Sequence, residues 1–404
     1  MVKPAKAGHG HGVWAEVSLG AVAHNLRAIR QHIGGKRKIL AIVKADAYGH
    51  GAVEIARALE RAGADALGAT SAAEGAELRE AGVRRPILVL TGFWPGEERM
   101  LLENRLTPCI TDLEQLKWLE RAAARRKAPR PKARATGRIE FHLKIDTGMN
   151  RLGVPAAEIG RFIAALGECR HLHLAGTFTH FAAAEEFTSS QTEEQMVCFD
   201  AAVAAMRRLG LGPGILHMAN SAAIGARPGT WADMVRPGAL LYGYHQAYVP
   251  EQMRTELEAR LVLQPALALR ARVISVKDLP AGSGIGYNRQ FVAERPTRVA
   301  VLAAGYAEGV MRALRGRGRV ILRGRCAPLV GTISMDLAMA DVSAVPGVEI
   351  GDVATFFGSD SNGGCAISPA EVARDLGTVT SELLCAIGKR VPRYYTSSHE
   401  APDR

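Results

Sequence analysis

The chain has 404 residues, 48% hydrophobic and 23% charged, a balance that suits a globular protein large enough for two domains. It holds no run of about 18 apolar residues, so no membrane partner is expected, and the opening "MVKPAKAGHGHG" lacks a signal-peptide core, which makes a cytoplasmic location the default expectation. The net charge of +11 suggests nucleic acid, but eight basic residues and no acidic or aromatic one lie in segment 121–138; outside it 43 basic residues face 40 acidic ones, and no nucleic-acid partner is expected.

The "HGHG" run at 9–12 reads as part of a disordered terminus and not as a metal site. Short apolar runs then recur in chain order: "KILAIVK" (38–44), "DALGAT" (65–70), "PILVLTG" (86–92), "LTPCI" (106–110), "IEFHLKI" (139–145), "LAGTFTH" (174–180), "ILHMA" (215–219) and "MVRPGALLYG" (234–243). Stretches such as "GAVEIARALERAGA" lie between them, with apolar residues at helical spacing and glycine near the end. Near-continuous apolar strands alternating with helices mark a parallel sheet covered on both faces. Eight such units predict an α/β fold, a (β/α)₈ TIM barrel over residues 13–250. No G-x-G-x-x-G follows the first strand, which argues against a dinucleotide fold. From about 260 strand-like runs follow one another across Gly/Pro turns, so residues 251–404 are expected to form a second, mostly-β domain. Near its end Ser368 and Pro369 open a helix as N-cap and first position. The cysteines, Cys109, Cys169, Cys198, Cys326, Cys365 and Cys385, form no C-x-x-C pair and read as reduced thiols without metal.

In a TIM barrel, the polar residues at the C-terminal strand ends share one mouth. Lys44 ends the first strand here. Lys144 and Asp146 end the fifth, with Arg151 in the following "TGMNRLG". His180 ends the sixth, Asn220-Ser221 follow the seventh, and Arg236 and Gly238 belong to the eighth. Singly, Arg151 also reads as a surface ion-pair partner and His180 as a satisfied core histidine; together they suggest a site. Serine, backbone amides and glycine turns on late strands suit a phosphate. A lysine in a dry pocket loses its proton and condenses with an aldehyde. Phosphate and Schiff base together point to pyridoxal phosphate, and an arginine facing its ring nitrogen keeps its own proton.

"VKADAYGHG", "DTGMNRLG", "GYAEG" and "SMD", in this order, resemble the motifs of the alanine racemases, fold-type III pyridoxal-phosphate enzymes, with the likeness running from about residue 13 to 395. The resemblance implies an isomerase that interconverts L-alanine and D-alanine, supplies D-alanine for cell-wall peptidoglycan, and works as a homodimer with shared sites. It implies that Lys44 holds the cofactor and is one base, while Tyr287 of a second copy is the other. It places Tyr48, Ser221, Gly238 and Ala239 at the phosphate, Arg236 at the pyridine nitrogen and His180 beside it. Arg151, Tyr306, Met335 and Asp336 surround the substrate, and Lys144 matches a position often carbamylated in the family. The chain departs from the family pattern at Lys389, where a phosphate-binding tyrosine is common. A broad-specificity racemase of the same fold and a non-catalytic pyridoxal-phosphate-binding protein stay open as alternatives. The second domain and Tyr287 speak against the latter. A decarboxylase of the same fold type would want an acidic residue where Arg236 stands.

Overall fold

The computed structural model describes residues 12–125, 137–359 and 364–397; residues 9–11 of the His-Gly run and 126–136 of the basic segment lie outside them. All eight expected barrel strands are present: Lys38–Ile42, Ala66–Ala69, Ile87–Val89, Thr107–Ile110, Ile139–Asp146, Leu172–Phe178, Ile215–His217 and Met234–Val235. Each pairs in parallel with the next up to the seventh, and the eighth returns to the first with Met234 opposite Lys38 and Val235 opposite Ile39. No ladder joins the seventh and eighth among the described residues, so the barrel is nearly closed.

The strands form here because their side chains are buried on both faces: Ile39, Leu40, Ala41, Leu67 and Ile87 are fully buried. The intervening helices cover them. Helix Ala52–Arg61 turns Ile55, Ala56 and Leu59 inward. Two helices start on caps legible in the sequence, Ser71 accepting from the Glu74 N–H and Asp112 from the Glu114 N–H. No described helix is long and apolar enough to cross a membrane, and the described residues hold no His/Cys/Asp/Glu group of metal-binding size.

The C-terminal unit is built on a nine-stranded sheet. One of its strands comes from the other end of the chain: Val13–Ser18 lies between Leu267–Leu279, antiparallel, and Arg393–Thr396, parallel. The compact units accordingly comprise residues 1–21, 48–51 and 265–404 on one side, and 22–47 with 52–264 on the other. The change of texture at 250/251 registers neither the excursion of 13–21 nor helix Gln252–Arg260, which clusters with the barrel.

The reading of six reduced cysteines needs correction. Cys326 and Cys365 form a disulfide with a Cα–Cα distance of 6.5 Å. Their 39-residue separation matches no spacing signature, so only the fold brings them together.

Candidate active site

The first barrel strand stops at Ile42, two residues earlier than expected, and the chain enters an unusual turn. Ala45, Asp46, Ala47 and Tyr48 all have φ between +52° and +55°, and Gly49 follows at +78°, so Lys44–Gly49 forms a left-handed helical turn. Left-handed backbone costs roughly 1–2 kcal/mol per non-glycine residue, so the surroundings must enforce it. Glu74 clamps its start, accepting from Ala45 N–H at 2.9 Å and Thr70 N–H at 2.6 Å, and Asp46 accepts from Ala52 N–H at 2.7 Å. The turn lifts Lys44 off the strand end and leaves it half-buried.

Arg236 occupies the centre of the site and is buried. Its Nη1 donates to the His217 carbonyl at 2.7 Å, and Nη2 donates to those of Thr179 (2.7 Å) and Met218 (2.9 Å). The Nδ1 atoms of His217 and His180 each lie 3.3 Å from the guanidinium. An arginine has no acceptor, so both Nδ1 atoms must accept, and both imidazoles are neutral with the proton on Nε2. His217 Nε2 then donates to His142 Nδ1 at 2.8 Å. Burial, and the positive charge of Arg236 with Lys144, Arg151 and Lys44, hold His180 well below the usual histidine range. Burial, with His142 and Arg236 next, does the same to His217. Burial lowers Arg236 to about 9, which leaves it charged at neutral pH. Its Nε donates to no protein atom among the described residues and stays available to a ligand.

Phe178 organises this cluster as a wedge. His217 stacks on its ring at 4.6 Å, and the charged ends of Arg236 and Lys144 lie 5.2 and 5.7 Å from its centroid. The Lys144 amine is pulled down by burial and by the Arg236 and Arg151 charges, although Cys109 and Asp146 oppose the shift. The Cys109 thiol is pushed up to about 12 by burial despite Lys144 and Arg236, so it stays protonated. Gly176 makes room for the histidines, since a Cβ there would lie 2.6 Å from His142 Cε1.

Arg151 rides a loop that leaves the fifth strand and folds back on it. Asp146 accepts from the Gly148 and Asn150 N–H groups, and Val154–Pro155 pairs with the strand it left. Gly153 closes the loop at φ +135°, where a Cβ would lie 2.6 Å from Asp146 N. Arg151 itself is exposed.

Ser221 opens helix Ser221–Ala226 behind the Asn220 cap, and its Oγ accepts from Gly238 N–H at 2.8 Å. That orientation leaves the serine proton to donate. Among the described residues, the N–H groups of Ser221 and Ala239 also donate to no protein atom. Three unspent donors at Ser221 and Ala239, a half-buried amine and an arginine with a spare N–H are the chemistry a phosphorylated aldehyde with a ring nitrogen needs. The Tyr48 phenol is pushed up to about 12 by burial and then by Cys385, and so remains protonated.

The remaining residues belong to the C-terminal unit. Tyr287 stands at the tip of a hairpin formed by Gly284–Ile285 and Phe291–Val292, 68% exposed, with Asn288 and Arg289 in the left-handed region. Tyr306, Met335 and Asp336 lie on neighbouring turns, and Lys389 is exposed beside Arg390. Sequence reasoning passed over His142 and His217. His217 ends the seventh strand as His180 follows the sixth, and that equivalence was the available signal.

Two family models match, "Alanine racemase, N-terminal domain" over residues 17–246 and "Alanine racemase, C-terminal domain" over 266–395. The alanine racemase of Geobacter sulfurreducens is 42% identical, covering 94% of this chain and 96% of its own, and that of Methanococcus maripaludis is 37% identical over 95% and 99%. Among solved structures, the alanine racemase of Clostridium difficile 630 superposes with a TM-score of 0.84 at 32% identity, covering 96% of this chain and 97% of its own. That of Streptomyces lavendulae also gives 0.84, at 34% identity over 96% and 97%.

Proposed function

This chain belongs to the alanine racemase family, and on that premise we propose that it interconverts L-alanine and D-alanine with pyridoxal phosphate and two bases, supplying D-alanine for peptidoglycan. The cofactor, when bound, supplies an aldehyde that condenses with amines and a conjugated ring that accepts the electrons released as an α-proton leaves.

Lys44 holds the aldehyde carbon and takes or returns the α-proton on one face. Tyr287 of a second copy serves the opposite face, because a single base would have to swing around the carbon. Arg236, whose Nε is unspent on the protein, would face the ring nitrogen and keep its own proton, and a ring so held would withdraw electrons less strongly. Tyr48, Ser221 and Ala239 would hold the phosphate, with the Gly238 N–H orienting the Ser221 hydroxyl toward it. Arg151 meets the substrate carboxylate, and carbamylated Lys144 orients it: a buried amine with a lowered pKa beside an arginine is suited to reacting with carbon dioxide. Tyr306, Met335 and Asp336 of the second copy flank the substrate, so the working form is a cytoplasmic homodimer whose barrel carries the cofactor.

The observation that carries this reading is Arg236, fixed by three carbonyls between two neutral histidines with one N–H unspent. The test is racemisation of a panel of L-amino acids, with the D-product measured by D-amino-acid oxidase. Turnover of alanine well above all others is expected. Equal turnover of bulky side chains would favour the broad-specificity racemase, and none at all the non-catalytic binder. Growth of a D-alanine-requiring bacterial strain carrying this chain tests the peptidoglycan role.

A further inference from the structure

Three segments of the C-terminal unit meet where no side chain fits between them. A Cβ at Gly305 would lie 2.3 Å from the Ser334 carbonyl oxygen and 2.4 Å from that of Met335. One at Gly388 would lie 2.2 Å from the Ala307 oxygen, and one at Gly309 2.9 Å from Ile387 Cα. Tyr306 N–H donates to the Ser334 carbonyl and Ala307 N–H to that of Met335, each at 3.0 Å. The turn 305–309, the turn 334–337 and residues 386–390 are thus in backbone contact. Tyr306, Met335 and Asp336 project from this junction and are exposed.

A single ionic group ties the three segments together. The Glu308 side chain is buried. Its Oε2 accepts from Gly305 N–H at 2.8 Å, and its Oε1 forms an ion pair with the Arg390 guanidinium that lacks hydrogen-bond alignment. The same Nη2 of Arg390 donates to Asp336 Oδ1 at 2.5 Å. A buried carboxylate without a cation is costly, so Glu308 fixes Arg390, and Arg390 in turn holds the more exposed Asp336.

We infer that Arg390, anchored on Glu308, is a positioning residue that holds Asp336 and its neighbour Met335 against the turn carrying Tyr306. The inference rests on the reading above that these three residues flank the substrate. It also refines the part of Asp336. Its carboxylate is committed to a cation, which spares the substrate carboxylate an unpaired like charge, and its contribution to the substrate is the placement of the 335–336 backbone. Lysine is only a partial replacement for Arg390: its ammonium can also meet two carboxylates, but from a shorter and more flexible stem that orders them less well.

The test uses the holoenzyme with Arg390→Met, Arg390→Lys, Glu308→Gln and the Glu308→Gln/Arg390→Met double variant, measured in both reaction directions. KM for both enantiomers should rise on the order of tenfold in Arg390→Met with a smaller fall in kcat, the size expected for residues coupled in one network. Arg390→Lys should recover part of that loss, and the double variant should be no worse than the worse single. Amide hydrogen exchange over 334–337 should quicken in Arg390→Met while cofactor absorbance and melting temperature hold. An unchanged KM, additive penalties, or exchange equal to wild type would overturn the inference. So would a joint collapse of KM, kcat and melting temperature in all the variants, since that marks plain scaffolding. A wild-type chain inactive on alanine would instead fail the proposed function, and the exchange measurement would still decide the role of Arg390.

Discussion

Removing the Cys326–Cys365 disulfide tests how the C-terminal unit is held. Cys326 lies in strand Arg325–Pro328 and is exposed, and Cys365 precedes strand Ala366–Ile367. The bond closes a loop with a sequence separation of 39. Loop-closure entropy for a ring of that size is worth about 4 kcal/mol at 25 °C. For a unit of this size each kcal/mol moves the midpoint by about 2–4 °C, so the double variant Cys326→Ser/Cys365→Ser should melt about 8–16 °C lower. Differential scanning calorimetry reads that shift. Thiol titration of the unreduced, denatured chain checks the premise, with four reactive thiols expected from the six cysteines. Six thiols would show that the bond is not formed. Four thiols together with an unchanged melt would show that the loop costs the unfolded chain little entropy, and the argument would fail.

Tyr287→Phe should slow α-deuterium exchange from one alanine enantiomer far more than from the other, by about 10²–10⁴-fold; equal small losses would remove it as a base. Mixing inactive Lys44→Ala and Tyr287→Phe proteins should restore part of the activity through subunit exchange, and no recovery would count against a shared site. Because His180 and His217 are both held below the ordinary histidine range, the unfolded chain binds protons that the barrel does not, and stability should fall as pH drops below about 6.5. Two such sites give a slope of up to about 2.7 kcal/mol per pH unit; urea titrations at pH 7.5 and 5.5 measure it, and a flat profile would contradict neutral burial. Gly153→Ala forces a Cβ toward Asp146 N, and a loss of about 1–3 kcal/mol with a raised alanine KM is expected from the displaced Arg151 loop; wild-type kinetics would show that the loop gives way freely.

The barrel was legible because its strands are buried on both faces, which writes them as unbroken apolar runs, and because glycine and capping residues mark the helices between them. Strand ends were less so. The run "KILAIVK" does not announce that the chain turns left-handed after Lys44, since alanine and tyrosine disfavour that backbone and a single aspartate tolerates it only modestly better. The run "MVRPGALLYG" contributes only Met234–Val235 to the barrel before Ala239–Tyr242 coils into a 3₁₀ turn. Contacts between distant residues left no local trace: the pairing of Val13–Ser18 with Arg393–Thr396, the disulfide, and the Arg390 bridge between Glu308 and Asp336. The motif match named the cofactor and the roles of Tyr287, Met335 and Asp336, which periodicity alone reads as a turn tyrosine, a core residue and a loop cap.

The register of the two sheets also sets a timetable for synthesis. Strand Lys38–Ile42, which leads into Lys44, cannot gain its partner Met234–Val235 until some 190 residues later. At roughly 5–20 residues per second that is an interval of about 10–40 s during which the barrel stays open and Lys44 waits for Arg236 to be made. Strand Val13–Ser18 waits longer still, for Leu267–Leu279 and then for Arg393–Thr396 near the other end of the chain. A ribosome that stalls between residues 279 and 393 therefore holds a chain with one bare strand edge on Val13–Ser18, a template open to another nascent copy.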